Sequence, residues 1–235
     1  MIFVFICTTA FFSNNEDIYP AELAMAKFSL KEGIIDDLHI QINPDVLPLG
    51  SSADALETSE ASHKYPLPLN AKGEKDYLEV LKSIVTFLHP MDKLPIIFGE
   101  GNTRDNKKPL EDTCRILDKI FYASGEDDVM KDLKIYSIDE LFFALQKTVV
   151  ADKNLLNKTF DVPFPFIAYA TDILKRDSSQ TLTNGCDFHN FNSAVQHCCL
   201  SKIRNFCYTF CKWCSMKTRY ALNEGKHVAE GFEAT

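Results

Sequence analysis

Several things are missing from this chain, and each absence narrows the field. No apolar run is long enough to span a bilayer: the opening stretch, residues 1–12, falls well short of the roughly 20 residues a spanning helix needs. That stretch also lacks the basic flank of a secretory signal, since the first charge is Glu16, so it is expected to be a buried strand. Basic residues do not dominate. With 25 Lys and Arg against 33 Asp and Glu, the formal net charge is −8, and the global field does not attract nucleic acid. Any nucleic-acid binding must rest on a local patch. There is no internal repeat and no low-complexity segment, and an apolar fraction of 46% excludes disorder. A disulfide framework is also absent, because the cysteines are clustered rather than spread between loops. We read an intracellular protein with reduced thiols.

What the chain does have is concentrated near its end. Residues 184–214 hold six of the eight cysteines, two of the six histidines and the only tryptophan. From Lys202 to Arg219 there are five cations and no acid.

The remaining pattern places this stretch in a fold. Residues 2–12 are nearly continuous in apolar and β-branched types, as in a strand covered on both faces. Strands are predicted over 22–30 and 34–42, joined by a Lys31-Glu32-Gly33 hairpin turn. Residues 43–72, with four prolines, read as a long loop. A helix follows over 74–89, with Tyr77, Leu78, Leu81, Ile84, Val85 and Leu88 on one stripe and Pro90 ending it. A short strand is predicted over 94–98, then a turn at 99–102. Next come a helix over 109–122 with Leu110, Cys114, Leu117 and Phe121 on one face, and a strand over 133–136. Ser137 and Glu140 form a capping box that opens a helix to about residue 149. A bend at 161–165 leads to a helix reaching about 175, and residues 176–185 read as a polar loop. With no Pro or Gly from His189 to Asn223, a long helix broken at most once is expected to end at Gly225. Residues 1–235 are thus expected to form one domain with a flexible tail over 225–235. Three hairpin strands followed by βα units argue for an α/β fold with a mixed central sheet and helices on both faces, the ribonuclease H-like layout.

Particular residues carry a resemblance. Glu22-Leu23-Ala24-Met25-Ala26 resembles the second-strand motif of the exonucleases that use four acids and a histidine (DEDDh) on that fold. Ile42-Asn43-Pro44 and Ser62-His63-Lys64 resemble their next two turns. Their catalytic acids are missing: Phe5 and Cys7 stand at the first-strand acid positions. The residues five after His189 and His197 are Ala194 and Lys202, where an Asp is required. Two-metal hydrolysis needs those carboxylates. The intact second strand, the lost acids and the Cys/His-rich end together resemble the Maelstrom family over roughly residues 1–225. That resemblance implies a Glu-Cys-His-Cys metal set formed by Glu22, Cys186, His189 and Cys198, with Cys199 competing for the last place.

Four N, S and O donors with no open position fit a structural zinc ion. Without the resemblance, Cys186-x2-His189-x8-Cys198 reads more often as packed thiols with a surface imidazole than as a metal set. Cys211-x2-Cys214 reads as helix packing, and His197 as a surface or supporting residue. Lys202, Arg204, Lys212, Lys217 and Arg219, interleaved with Phe206, Tyr208, Phe210, Trp213 and Tyr220, read two ways. They match a single-strand RNA surface, or a helix with an aromatic core face and a solvated basic face. Glu100 and Asp105 follow a strand end and are either site residues or turn acids.

The resemblance implies a piRNA-pathway factor that represses transposons in the germ line, with roles in development and meiosis. It would act in nucleus and cytoplasm, including perinuclear germ granules (nuage). Its expected partners are single-stranded RNA and proteins of the small-RNA silencing machinery, with no membrane. Single-strand-specific endoribonuclease activity without two metals is one reading; a catalytically silent zinc-stabilised scaffold is the other.

Overall fold

In the computed structural model the described residues are 1–89, 95–101, 108–125, 133–151, 165–180, 184–215 and 222–229. The first three strands follow one another as two hairpins: β1 (Phe3–Ser13), β2 (Ile18–Ser29) and β3 (Gly33–Gln41), antiparallel throughout. Two short strands, β4 (Ile97–Gly99) and β5 (Ile135–Ser137), then add parallel to β1. The sheet order is β3-β2-β1-β4-β5, so β1 is central and buried on both faces. That burial is why its sequence is an unbroken apolar run rather than an alternating one.

Alternate side chains of the strands feed two different cores. On one face Val4, Ile6, Leu23 and Met25 meet α2 (Tyr77–Leu88) and α3 (Pro109–Ala123) through Leu81, Ile84, Ile116 and Ile120. On the other, Phe3, Phe5, Ala24, Ala26 and Phe28 meet α4 (Ile138–Ala151), α5 (Ile167–Gln180) and α7 (Cys199–Phe210). Phe210 sits at the centre of this second core. Its ring centroid is 4.9 Å from that of Phe5, 5.7 Å from Phe28 and 4.7 Å from Phe142.

The chain departs from its sequence pattern in several places. The stretch expected as loop over 43–72 contains a helix, α1 (Ser52–Ala61), which packs near β1 through Ala55. Its weak amphipathicity and flanking prolines hid it. The α2 stripe is rotated: Val80 and Phe87 are buried while Leu78 and Val85 are exposed. On α3 the buried face is Thr113, Ile116, Leu117, Ile120 and Phe121, so Leu110 and Cys114 lie at its margin. Ser137 does cap α4, but its hydroxyl accepts the Asp139 N–H and donates to the Asp139 carboxylate. Residues 176–180 continue α5 rather than opening a loop.

The long final helix is three pieces: α6 (Asp187–Phe191), a single 3-10 turn (Val195–His197) and α7, which runs into a π turn (Cys211–Ser215). Ser193, at φ 52°, turns the chain between the first two without any Gly or Pro. The expected tail begins with residues that are packed. Lys226 O accepts the Ile34 N–H at 2.8 Å, and Gly33 (φ 73°) lies so close that an added Cβ would be 2.3 Å from that oxygen. The expectations for Pro90, Leu94, Asn102 and residues 161–164 and 230–235 lie outside the described residues. Among the described residues no helix is long and apolar enough to cross a membrane.

Candidate metal centre

Three separate pieces of chain bring four donors together. Glu22 lies on β2 opposite Thr9 and Gln41, beside a bulge in the β1–β2 pairing that comes where Pro20 interrupts the ladder. Cys186 is the extended residue that starts α6, and His189 lies one turn on. Cys198, also extended, starts α7. The α6 entry is held by a reciprocal clamp. Asn190 Oδ1 accepts the Gly185 N–H at 3.0 Å and its Nδ2 donates to Gly185 O at 2.9 Å. Gly185 is needed there for close approach, since a Cβ would come within 3.3 Å of Cys198 Sγ. The ligand atoms of Glu22, Cys186, His189 and Cys198 all lie within 4.8 Å of one another, and all but Cys186 are fully buried.

The hydrogen bonds fix how these donors face each other. His189 Nε2 donates to the His63 carbonyl at 2.7 Å, so its proton is on that nitrogen and Nδ1 turns a lone pair to the cluster. Nδ1 lies 3.1 Å from Cys186 Sγ and 3.9 Å from Glu22 Oε1. Lys64, at φ 59°, turns the chain directly after His63. Glu22 Oε1 accepts from His39 Nε2 at 2.8 Å and from the Cys199 N–H at 3.2 Å, while Oε2 is buried with no partner. Hydrogen bonds from Cys198, His189 and His39 pull the Cys186 thiol well below its ordinary range, against its desolvation. The Cys198 thiol is pushed up, by sharing that bond and by burial. Burial works against charge on His39, but Cys186 and Glu22 outweigh it and raise this imidazole to about 9.

A buried carboxylate oxygen without a partner, two cysteine sulfurs and an oriented imidazole form a donor set compatible with a metal ion. All four positions would be filled by protein, leaving none for water. Cys199 is not part of the set: its Sγ lies 3.3 Å from Cys7 Sγ, on the other side of the α7 start. Cys211 and Cys214 are both buried in helix packing, and His197 is half-buried.

The basic stretch is arranged differently from an open phosphate-binding face. Lys202 pairs with Glu100, Lys212 with Asp177 at 3.4 Å, and Arg204 with Asp37 through two bonds of 2.7 and 3.1 Å. Phe206 and Phe210 are core residues, Tyr208 donates to Gly225 O, and Trp213 Nε1 donates to Asp177. Lys217, Arg219, Tyr220 and Asp105 lie outside the described residues. Sequence reasoning missed His39 and Tyr65, whose hydroxyl is 3.4 Å from His189 Nδ1. The hairpin register was the available signal for His39, which sits diagonally across from Glu22 on the neighbouring strand.

Residues 13–230 match the sequence model of Maelstrom, described as a piRNA pathway germ-plasm component. Protein maelstrom of Drosophila melanogaster is 30% identical over 96% of this chain and 48% of its own length. The homolog from Culex quinquefasciatus is 31% identical over 92% of the chain and 40% of its own length. The chain therefore spans about half the length of these relatives. Among solved structures, E. coli exonuclease I in complex with a dT13 oligonucleotide is similar in fold. Its TM-score is 0.51 at 15% identity, over 88% of this chain and 39% of that one. A second exonuclease I structure, described as suggesting how processivity is achieved, also scores 0.51. The α/β fold is ribonuclease H-like.

Proposed function

Since the chain belongs to the Maelstrom family, whose model is that of a piRNA-pathway component, we propose that it binds single-stranded RNA in that pathway and represses transposons in the germ line. In this reading it does so in nucleus and cytoplasm, including germ granules, and together with proteins of the silencing machinery. One observation supports the architectural part: four donors within 4.8 Å of one another bring the start of the helix that carries Lys202 and Arg204 together with the opening sheet. Two sulfurs, one imidazole and one carboxylate in a closed set favour zinc over magnesium or calcium, which take all-oxygen shells. Glu22, Cys186, His189 and Cys198 would hold it, and its contribution would be structural.

A second reading has its own support. The described cations of α7 and the π turn after it are matched by acids, and Phe206 and Phe210 are packed inward. A protein-binding scaffold would need neither to be free. Retention of labelled single-stranded RNA on a filter, measured against salt, separates the two. Retention that falls with salt supports RNA binding, with charge reversal at Arg204 and Lys212 flattening the slope. No retention at any ionic strength sinks it and leaves the scaffold. Elemental analysis should find about one zinc per chain, the occupancy a closed four-ligand site takes.

A further inference from the structure

All eight cysteines are free, but they differ in what lies beside them and in how far solvent reaches. Cys207, Cys211 and Cys214 are sealed in the core. Cys7 and Cys199 have sulfurs 3.3 Å apart, yet they are only 5% and 2% exposed, which bars solutes from them. Cys114 is half-buried, its charged neighbours are the acids Asp118 and Glu111, and burial and Asp118 push its thiol up. Cys186 alone combines access to solvent with a second sulfur close by. It is half-exposed, whereas the other three donors of its cluster are buried, and the donor atoms of Cys186 and Cys198 lie within 4.8 Å.

The backbone brings these two cysteines together. Cys198 Sγ accepts the Cys186 N–H at 3.3 Å, and a Cβ on Gly185 would be 3.3 Å from both Cβ and Sγ of Cys198. The two segments already touch, so closing the sulfurs to the roughly 2 Å of a disulfide is a matter of side-chain rotation. Cys186 (φ −70°, ψ 166°) and Cys198 (φ −83°, ψ 124°) are both extended residues ahead of their helices. Neither therefore has its χ1 restricted by a preceding helical turn. Around the Cys186 sulfur stand His189 Nδ1 at 3.1 Å and the Tyr65 hydroxyl at 3.5 Å. A hydroxyl at that distance can donate to an oxygen leaving from the sulfur.

We propose that Cys186 and Cys198 are an oxidation site, a dithiol that hydrogen peroxide or another small hydroperoxide converts to a disulfide, with release of the metal when the cluster is loaded. The release rests on the zinc reading above; the disulfide does not. In the first step Cys186 sulfur attacks one peroxide oxygen and the O–O bond breaks. The other oxygen leaves as water with the thiol proton, and Cys186 becomes a sulfenic acid. Cys198 sulfur then attacks the Cys186 sulfur, the S–S bond forms, and the sulfenic oxygen leaves as a second water with the Cys198 proton. Two thiols are oxidised by two electrons and one peroxide is reduced to two waters. Where a metal holds both sulfurs, the two protons come from solvent. The disulfide withdraws two of the four donors at once, and Glu22 and His189 cannot fill a tetrahedral shell alone. The start of α7 then stays joined to α6 but loses its tie to β2.

The test treats the purified, reduced chain, with the metal it carries, with one equivalent of hydrogen peroxide beside a chromophoric chelator. About one zinc per chain should pass to the chelator, and the thiols of the denatured chain should fall by two from eight. Chymotrypsin, which cuts at Phe188 and Phe191 between the two cysteines, should leave a peptide in which Cys186 is linked to Cys198. Dithiothreitol with added zinc should reverse all three changes, and Cys114→Ser should alter none of them. The wild-type chain gives the answer, so the result does not depend on a ligand variant that fails to fold. Zinc present at the start and kept, with all thiols intact, would overturn the site and leave the zinc reading standing. A link between Cys7 and Cys199, or oxidation of Cys114 with zinc kept, would overturn it equally. A Cys186–Cys198 disulfide in a chain that never held zinc would support the oxidation site and overturn the metal in both readings.

Discussion

Two polar sites flank the first turn of α7, and they are built in opposite ways. On one side Cys198 joins Glu22, Cys186 and His189 in a cluster buried at all but Cys186, with all four donor atoms supplied by protein. On the other, Lys202 meets Glu100 in a pair that stays partly exposed. The Cys198–Cys199 dipeptide separates them: Cys198 faces Glu22, and Cys199 faces Cys7. A closed, charge-rich cluster is suited to holding a helix in place. An ion pair open to solvent is screened and holds far less. The same turn carries both because neighbouring residues at a helix start point in different directions.

The comparison can be broken most directly at the closed side. Apparent stabilisation by structural zinc is on the order of 10 kcal/mol, comparable to the whole stability of a domain. Cys186→Ser, His189→Ala or metal removal should therefore abolish the cooperative thermal transition and the zinc signal together. A zinc-free variant that melts as sharply as wild type would show the cluster to be ordinary packing. Next in size is the core beneath α7. Phe210→Ala should cost about 3–5 kcal/mol in chemical denaturation, because its ring is fully buried among Phe5, Phe28 and Phe142. A loss below about 1 kcal/mol would mean that α7 is held by its Cys198 end alone.

The far end of α7 has a smaller clamp. Burial opposes the charge of Asp177, but Trp213, Lys212 and Arg176 outweigh it and hold this carboxyl below its ordinary 3.8. A carboxyl lowered on folding contributes stability above its unfolded value and loses that contribution as pH falls through the folded one. Asp177→Ala should cost roughly 1–3 kcal/mol near neutrality. The gap to wild type should close as pH drops below 3.8, followed by thermal midpoints across pH. A gap that stays constant in acid would contradict the charged clamp. Smallest is the open pair. Glu100→Gln should change stability by less than about 1 kcal/mol, since part-exposed ion pairs contribute little. A large shift in its thermal midpoint would make the Glu100–Lys202 contact a structural one, as closed in purpose as its neighbour.

The fold was largely legible because its signals are local. The apolar run of β1, the Gly33 turn and the helix following each short strand all report backbone preference directly. What was missed depended on packing. The Leu78 and Val85 side chains of α2 fit a helical stripe yet face water, because the helix is rolled toward Val80 and Phe87. The break between α6 and α7 carries no Gly or Pro and is made by Ser193 in a left-handed turn. Cys186 and His189 were visible as a spacing. Glu22 was indicated only by family resemblance, because nothing in a strand sequence says that a carboxylate will be buried 164 residues from its partner thiol. The RNA-facing expectation for Lys202, Arg204 and Lys212 could not foresee their acids either, since Glu100, Asp37 and Asp177 come from three distant elements.

Residue pattern alone thus determined an α/β chain with an antiparallel opening and a thiol-rich end, since each follows from composition, spacing or periodicity, while the missing two-metal acids were implied by family resemblance. Tertiary structure decided which cysteine joins the cluster, which nitrogen of His189 faces it, and which acid each cation of α7 meets. Those are questions of direction and distance between pieces of chain far apart in sequence. The packing of α7 against the sheet and the His63 carbonyl behind His189 set them.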